Sequence, residues 1–136
     1  MSAGDVRFLS VADVVALHNE VMERMGHRPA PLRDAGVLEP AVLMPQKAAY
    51  YQGADLVRQA VLIAIGISQA QAFVDGNRRT AYMAMAVFLR RNGRPFGGNR
   101  MDLAKRLEAV AARTGSLEAA TRRLEDWLRE YVEPTS

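Results

Sequence analysis

The stretch Gln71-Ala72-Phe73-Val74-Asp75-Gly76-Asn77-Arg78-Arg79-Thr80 holds most of what this sequence offers for chemistry. A Gly followed by an Asn lets the backbone take positive φ at low cost, the form of a tight turn. If a helix starts there, its free N–H groups converge on one point and its dipole adds partial positive charge. Arg78 and Arg79 fall in that first turn, where each cation opposes the dipole at a cost of about a few tenths of a kcal/mol. Two such placements in a row make sense where an anion binds, as in other glycine-loop-to-helix phosphate sites. Asp75 would repel a bare phosphate but suits Mg2+, which combines carboxylate with phosphate oxygens. Phe73, set among polar loop residues, reads as an apolar peg that fixes the loop. Each residue also has a plainer use: Gly76-Asn77 as a turn, Asp75 as a helix cap, Phe73 as core. Their ordered combination is what favours a phosphate site.

Such a turn needs two helices to hold it, and the pattern is helical nearly throughout. From Asp55, the residues Leu56, Val57, Ala60, Val61, Leu62, Ile63, Ile65 and Ile67 are apolar on more than one face, which predicts a helix buried in the middle of a bundle. A second central helix is predicted from about Asn77 to Asn92, rich in Ala and Met, with Arg90 and Arg91 in its last turn and Gly93 as its stop. The methionines read as core filling. Ahead of these, Ser10 to Asp13 has the form of a capping box, and Val14, Val15, Leu17, Val21, Met22 and Met25 form a helical face ended by Gly26. Asp34 is placed to cap a short helical segment with Val37, Leu38, Val42 and Leu43, broken near Pro40. Pro45 to Gly53 reads as an exposed connection carrying Tyr50 and Tyr51. Arg94 to Arg100 reads as a loop, followed by helices at about Asp102–Arg113 and Leu117–Val132, the last capped by Ser116 and anchored by Trp127 and Leu128. The expectation is an all-α fold of about six helices in one domain spanning residues 1–136, with the motif loop between the two central helices.

Bulk composition agrees. The 136 residues are 49% hydrophobic and 24% charged, enough for one core without disulfides, and there is no cysteine to form them. No apolar run approaches the roughly 18 residues of a membrane span, and Met1 to Ser10 lacks the form of a secretion signal, so a cytoplasmic protein is expected. The net charge is +3, with sixteen arginines against only Lys47 and Lys105. Of the nine charged residues between Arg78 and Arg106, only Asp102 is acidic. Guanidinium forks suit phosphates, although a solvated basic face explains the charge alone. Direct nucleic-acid binding is not expected, because no reading motif accompanies the charge.

The run from Phe73 to Thr80 is similar to the signature of the Fic superfamily, His-x-Phe-x-(Asp/Glu)-Gly-Asn-x-Arg. Arg78 and the Arg79-Thr80 pair resemble its death-on-curing (Doc) branch. The AMP-transferring branch has Gly at the first of these positions and a second Arg where this sequence has Tyr82. Leu9 to His18, Arg33 to Glu39, Pro45-Gln46, Tyr51 to Asp55 and Phe88 to Gly93 also look like death-on-curing sequences, so the resemblance covers roughly residues 6–132. It implies an all-helical toxin of a type II toxin–antitoxin module. Such a toxin binds ATP and Mg2+, is inhibited by a cognate antitoxin, and phosphorylates elongation factor Tu to stop translation. By position, Asp75 would hold Mg2+, while Gly76, Asn77, Arg78 and Arg79 would surround the phosphates. Asp75 and Arg79 would be part of the catalytic set, and Gln46 to Gly53 would form the flap that aligns the target chain. No internal inhibitory motif is found; Thr114 to Glu118 comes nearest but is followed by Ala119.

One departure bears on activity. The family's histidine, which takes the proton from the target hydroxyl, aligns with Gln71. A carboxamide has no usable pKa near 7, and losing a general base costs about 10²–10⁴ in rate. Neither His18 nor His27 sits in the motif, and each reads as an ordinary helix-surface or partly buried residue. The resemblance therefore implies a chain that binds nucleotide and transfers phosphate poorly. Two alternatives stand beside it: a non-catalytic Fic-fold pseudoenzyme or regulatory binding protein, and an AMP-transferring enzyme.

Overall fold

Side-chain oxygens placed just ahead of apolar runs set where most of the helices begin. In the computed structural model, which describes residues 6–28 and 32–132, Ser10 and Asp13 close a reciprocal capping box at the start of α1 (Val11–Arg24). Asp55 accepts from the Arg58 N–H to start α3 (Leu56–Ala70), Asn99 caps α5 (Arg100–Ala111) and Ser116 caps α6 (Leu117–Arg129). Two helices begin without such a cap: α2 (Leu38–Gln52), which follows a 3-10 turn at Ala35–Val37, and α4 (Asn77–Arg91), which follows Gly76. The fold is all-α, and among the described residues the only β pairings are isolated bridges at Leu32–Phe73 and Phe96–Val132.

The helix α3 is central. It packs most extensively against α2 and α4 and also meets α5 and α6. Val57, Ala60, Val61, Ile63, Ala64 and Ile67 are at most 1% exposed, as its all-round apolar sequence predicts. From α4, Ala81, Ala84, Met85 and Leu89 are fully buried, and Phe88 nearly so, against this face. The methionine Met85 fills core, in line with the sequence reading.

Two expectations about α2 are corrected. Pro40 causes no break, because it sits in the first turn, where its missing N–H would have no intrahelical partner. The exposed connection expected from Pro45 is instead the second half of α2, which runs through Pro45 to Gln52 and ends at Gly53 with φ 64°. Packing outweighs the proline here. Leu38, Ala41, Val42, Pro45 and Ala48 are buried on one side of the helix. Gly66 lets α2 approach so closely that a Cβ on it would lie 3.2 Å from Ala41 Cα. The Ala41 carbonyl, which loses its usual donor to the Pro45 ring, lies in this tight contact. Tyr50 and Tyr51 are exposed as expected, but on a helix. The fifth helix starts at Arg100 rather than Asp102 because Asn99 caps it. The sixth stops at Arg129, and Val132 turns back to pair with Phe96. Leu128 is fully buried, and Trp127 packs among Phe96, Tyr131 and the Arg106 guanidinium. Among the described residues no helix is long and apolar enough to cross a membrane.

A charge network joins the start of α3 to α6. Arg129 pairs with Asp55 and Glu125, each at 2.6 Å, and Arg58 reaches Glu118 and Glu125, each at 2.9 Å. Burial acts to raise the Asp55 pKa, but the hydrogen bonds from Arg129 and the Arg58 N–H, with the Arg129 charge, outweigh it and hold the pKa below 3.8. A carboxyl depressed in the fold contributes stability that is complete above its unfolded value and is lost as pH falls through its folded value. Asn caps as well as Asp, so Asp55→Asn should cost no more than about 1 kcal/mol at pH 7. Its urea-denaturation midpoint should fall less steeply than the parent's between about pH 5 and pH 2. Equal acid sensitivity in the two proteins would contradict the assignment.

Candidate functional site

The turn between α3 and α4 is built around one buried carboxamide. The Asn77 Oδ1 accepts from the Phe73 N–H at 3.1 Å, and its Nδ2 donates to the Phe73 carbonyl at 2.8 Å. Both polar groups of a buried residue are thereby satisfied from a single side chain. Phe73 is 1% exposed, so it is the peg the sequence suggests. On its other side the segment pairs with the chain before α2: the Arg33 N–H donates to the Ala72 carbonyl at 2.6 Å, and Leu32 forms an antiparallel bridge to Phe73.

Positive φ falls where glycine permits it, at Gly76 (φ 81°), but the second such residue is Gln71 (φ 50°) and not Asn77. Asn77 is helical and turns its side chain inward, so its carboxamide serves the loop and only its backbone N–H faces the helix start. That correction has a simple cause: the buried Phe73 backbone needs both a donor and an acceptor, and a carboxamide supplies both. Thr80 Oγ1 donates to the Gly76 carbonyl at 2.8 Å, and the Thr80 N–H bonds the same oxygen. Thr80 is thus the first residue of α4 whose N–H is used within the helix. The N–H groups of Asn77, Arg78 and Arg79 have no side-chain cap.

This helix start opens on a cleft of about 1060 Å³ whose far wall is α5. Arg78, Arg79, Arg100, Lys105 and Arg113 line it, against the carboxylates Asp75 and Glu108, so it is strongly cationic. Arg78 is held across the cleft by Glu108 at 2.6 Å, with both side chains 56% exposed. Arg79 is exposed, and its guanidinium makes no hydrogen bond or ion pair among the described residues. Asp75 is exposed at the cleft; one carboxylate oxygen accepts from the Gly76 N–H at 2.7 Å. Its other oxygen has no partner among the described residues. A single carboxylate of this kind suits a cation that takes its remaining ligands from water and phosphate. Gln71 is exposed at the end of α3, where its Nε2 donates to the Ser68 carbonyl at 2.7 Å and its Oε1 accepts from Asn77 at 3.4 Å. The structure therefore brings Gln71, Asp75, Gly76, Arg78 and Arg79 to one cleft, with Phe73 beneath it. The expected flap residues Gln46 to Gly53 lie in α2 and its cap and do not line the cleft.

Sequence reading missed two contributors. The α5 wall adds Arg100 and Lys105, whose basic character was visible but whose position opposite the loop was not. His18, read as surface or partial core, is fully buried under the motif. Its ring stacks on Phe73 with centroids 3.6 Å apart and planes 3° from parallel, and its Nε2 lies 2.8 Å from the Asp75 carbonyl. A signal existed. His18 lies four residues from both Val14 and Met22 and so falls within the apolar stripe of α1, where a polar residue needs a partner.

Comparison with known proteins adds an independent observation. The Fic/DOC family model matches residues 8–89, which include the whole motif turn. The chain is also similar to the protein named protein kinase doc of Escherichia phage P1, being 32% identical over 89 residues, 65% of this chain and 70% of that protein.

The Asn77 clamp is directly testable. Asn77→Ala leaves the buried N–H and carbonyl of Phe73 without partners and should lower stability by about 1–3 kcal/mol in urea denaturation. Gly76→Ala should also destabilise, since it meets the left-handed penalty of about 1–2 kcal/mol and a contact of 2.9 Å with Met22 Sδ. Either variant matching the parent would remove the assigned role.

Proposed function

Because the chain belongs to the Fic/DOC family, we propose that it is a Doc-like toxin of a toxin–antitoxin pair. Its cleft takes ATP with Mg2+ and directs the terminal phosphate to a hydroxyl of a protein target, elongation factor Tu being the expected one. One observation carries the reading. An uncapped helix start behind a left-handed glycine faces a cleft that holds five cations and, among the described residues, a carboxylate with one oxygen unpartnered. Backbone N–H groups at such a point bind phosphate oxygens, and the helix dipole adds to them. Gly76 lets the backbone approach the ligand. The N–H groups of Asn77, Arg78 and Arg79 donate to phosphate oxygens, and the exposed Arg79 guanidinium offers a planar fork to them. Asp75 would hold Mg2+, which when bound neutralises charge between the phosphates.

Gln71 stands where the family's general base stands. Its carboxamide is engaged by Ser68 and Asn77 and cannot accept a proton near neutral pH. Attenuated transfer follows. The engaged carboxamide also supports the second reading, a binding protein on the same fold that uses the anion site without chemistry. Tyr82 at the cleft, where the AMP-transferring branch has an arginine, favours phosphate over AMP transfer.

Calorimetry should detect binding of ATP with Mg2+. Arg79→Ala should weaken it by about ten- to hundredfold, the worth of a hydrogen bond to a charged group. Gln71→His should raise phosphate labelling of elongation factor Tu by about 10²–10⁴, with mass spectrometry separating phosphate from AMP on the product. Labelling by neither protein, with ATP bound by both, would sink the kinase reading in favour of the binding protein. Glu108→Gln frees Arg78 from an exposed ion pair worth about 0–1 kcal/mol, so ATP should bind up to about fivefold tighter and no more.

A further inference from the structure

Between Asp75 and Gly76 runs a peptide plane whose two polar ends are both held. Its N–H donates to the Asp75 Oδ1 at 2.7 Å, and its carbonyl oxygen lies 2.8 Å from His18 Nε2. A carbonyl only accepts, so Nε2 carries a proton and donates it. The plane borders Gly76, which has φ 81° and, as glycine, is the residue of the turn best able to let the plane rotate. Rotation would swing the carbonyl away from His18 and the N–H away from the Asp75 carboxylate together. His18 comes from α1, fifty-seven residues earlier, and is 0% exposed. Its ring is fixed by face-to-face contact with Phe73, and a Cβ added at Gly76 would meet its Cδ2 and Nε2 at 3.4 Å. Among the described residues its Nδ1 has no partner. The bond to the Asp75 carbonyl is therefore the polar contact that the structure gives this buried ring.

We propose that His18 is a positioning residue: by donating to the Asp75 carbonyl it locks the 75–76 peptide and so orients the Asp75 carboxylate and the first N–H groups of α4 toward the cleft. The role of that orientation in nucleotide binding rests on the function proposed above; the lock itself does not. Packing and donation can be separated by two substitutions. His18→Phe keeps a ring on Phe73 and removes the donor. His18→Gln removes the ring and places a carboxamide nitrogen near the position of Nε2.

The test follows amide hydrogen exchange in the full chain without ligand, and ATP–Mg2+ affinity by calorimetry. In His18→Phe the Gly76 amide should exchange at least about tenfold faster, since losing a hydrogen bond to a part-buried carbonyl is worth roughly that factor. Amides in the middle of α3 should keep their rates. His18→Gln should recover most of the protection. Affinity for ATP–Mg2+ should follow the same order, with His18→Phe weakest. The reverse order, with glutamine loosening the turn and phenylalanine preserving it, would show packing alone and overturn the proposal, as would unchanged exchange in both. If phenylalanine loosens the turn and the parent binds no ATP–Mg2+, the lock stands and the nucleotide reading fails.

Discussion

A chain that leaves one buried helix and enters another within a few residues must find partners for the backbone groups it carries through the core. Here one carboxamide supplies them. Asn77 gives the Phe73 backbone both its donor and its acceptor, and everything near the cleft depends on that closure. With Phe73 fixed, the His18 ring lies flat against it, and the Asp75 carbonyl comes within reach of α1. With the turn closed over Phe73, α4 begins at a point where no side chain covers its N–H groups. A buried amide with every hydrogen bond made fixes a single geometry, because any other arrangement leaves polar atoms stranded at a cost of about 1–3 kcal/mol.

The charge distribution follows from the same closure. Two arginines in the first turn of a helix work against its dipole, and five cations around one cleft repel each other. Glu108 relieves part of this by pairing with Arg78, and Asp75 relieves another part. The remaining excess suits a ligand of high negative charge. Elsewhere charges pair across helices, as in the network of Arg58, Arg129, Asp55, Glu118 and Glu125 that ties α3 to α6.

Much of this is legible in the sequence alone. Ser10 and Ser116 announce helix starts because capping is a local interaction, and the all-round apolar character of α3 announces its central place because burial acts on each residue. The motif residues were legible as a set because a glycine turn, two cations and an acid in order have few joint explanations. What escaped was non-local. Pro45 reads as the start of an exposed connection until Gly66, twenty-one residues on, is seen to admit α2 against α3. His18 reads as ordinary until Phe73 and the Asp75 carbonyl are seen above it. The exchange of roles between Asn77 and Gln71 escaped for a related reason: Asn tolerates a left-handed backbone, but here the buried Phe73 claims its side chain, and the left-handed bend falls six residues earlier, at Gln71.

That bend has an outcome of its own. Gln71 holds a left-handed backbone without being glycine or asparagine, and the local energy is about 1–2 kcal/mol higher than glycine would give. A protein usually accepts such a cost where geometry serves activity. Heat-resistance selection applied to this chain without regard to activity would therefore reward glycine at position 71 early. Thermal hardening and introduction of a proton-accepting side chain would pull the same codon in opposite directions.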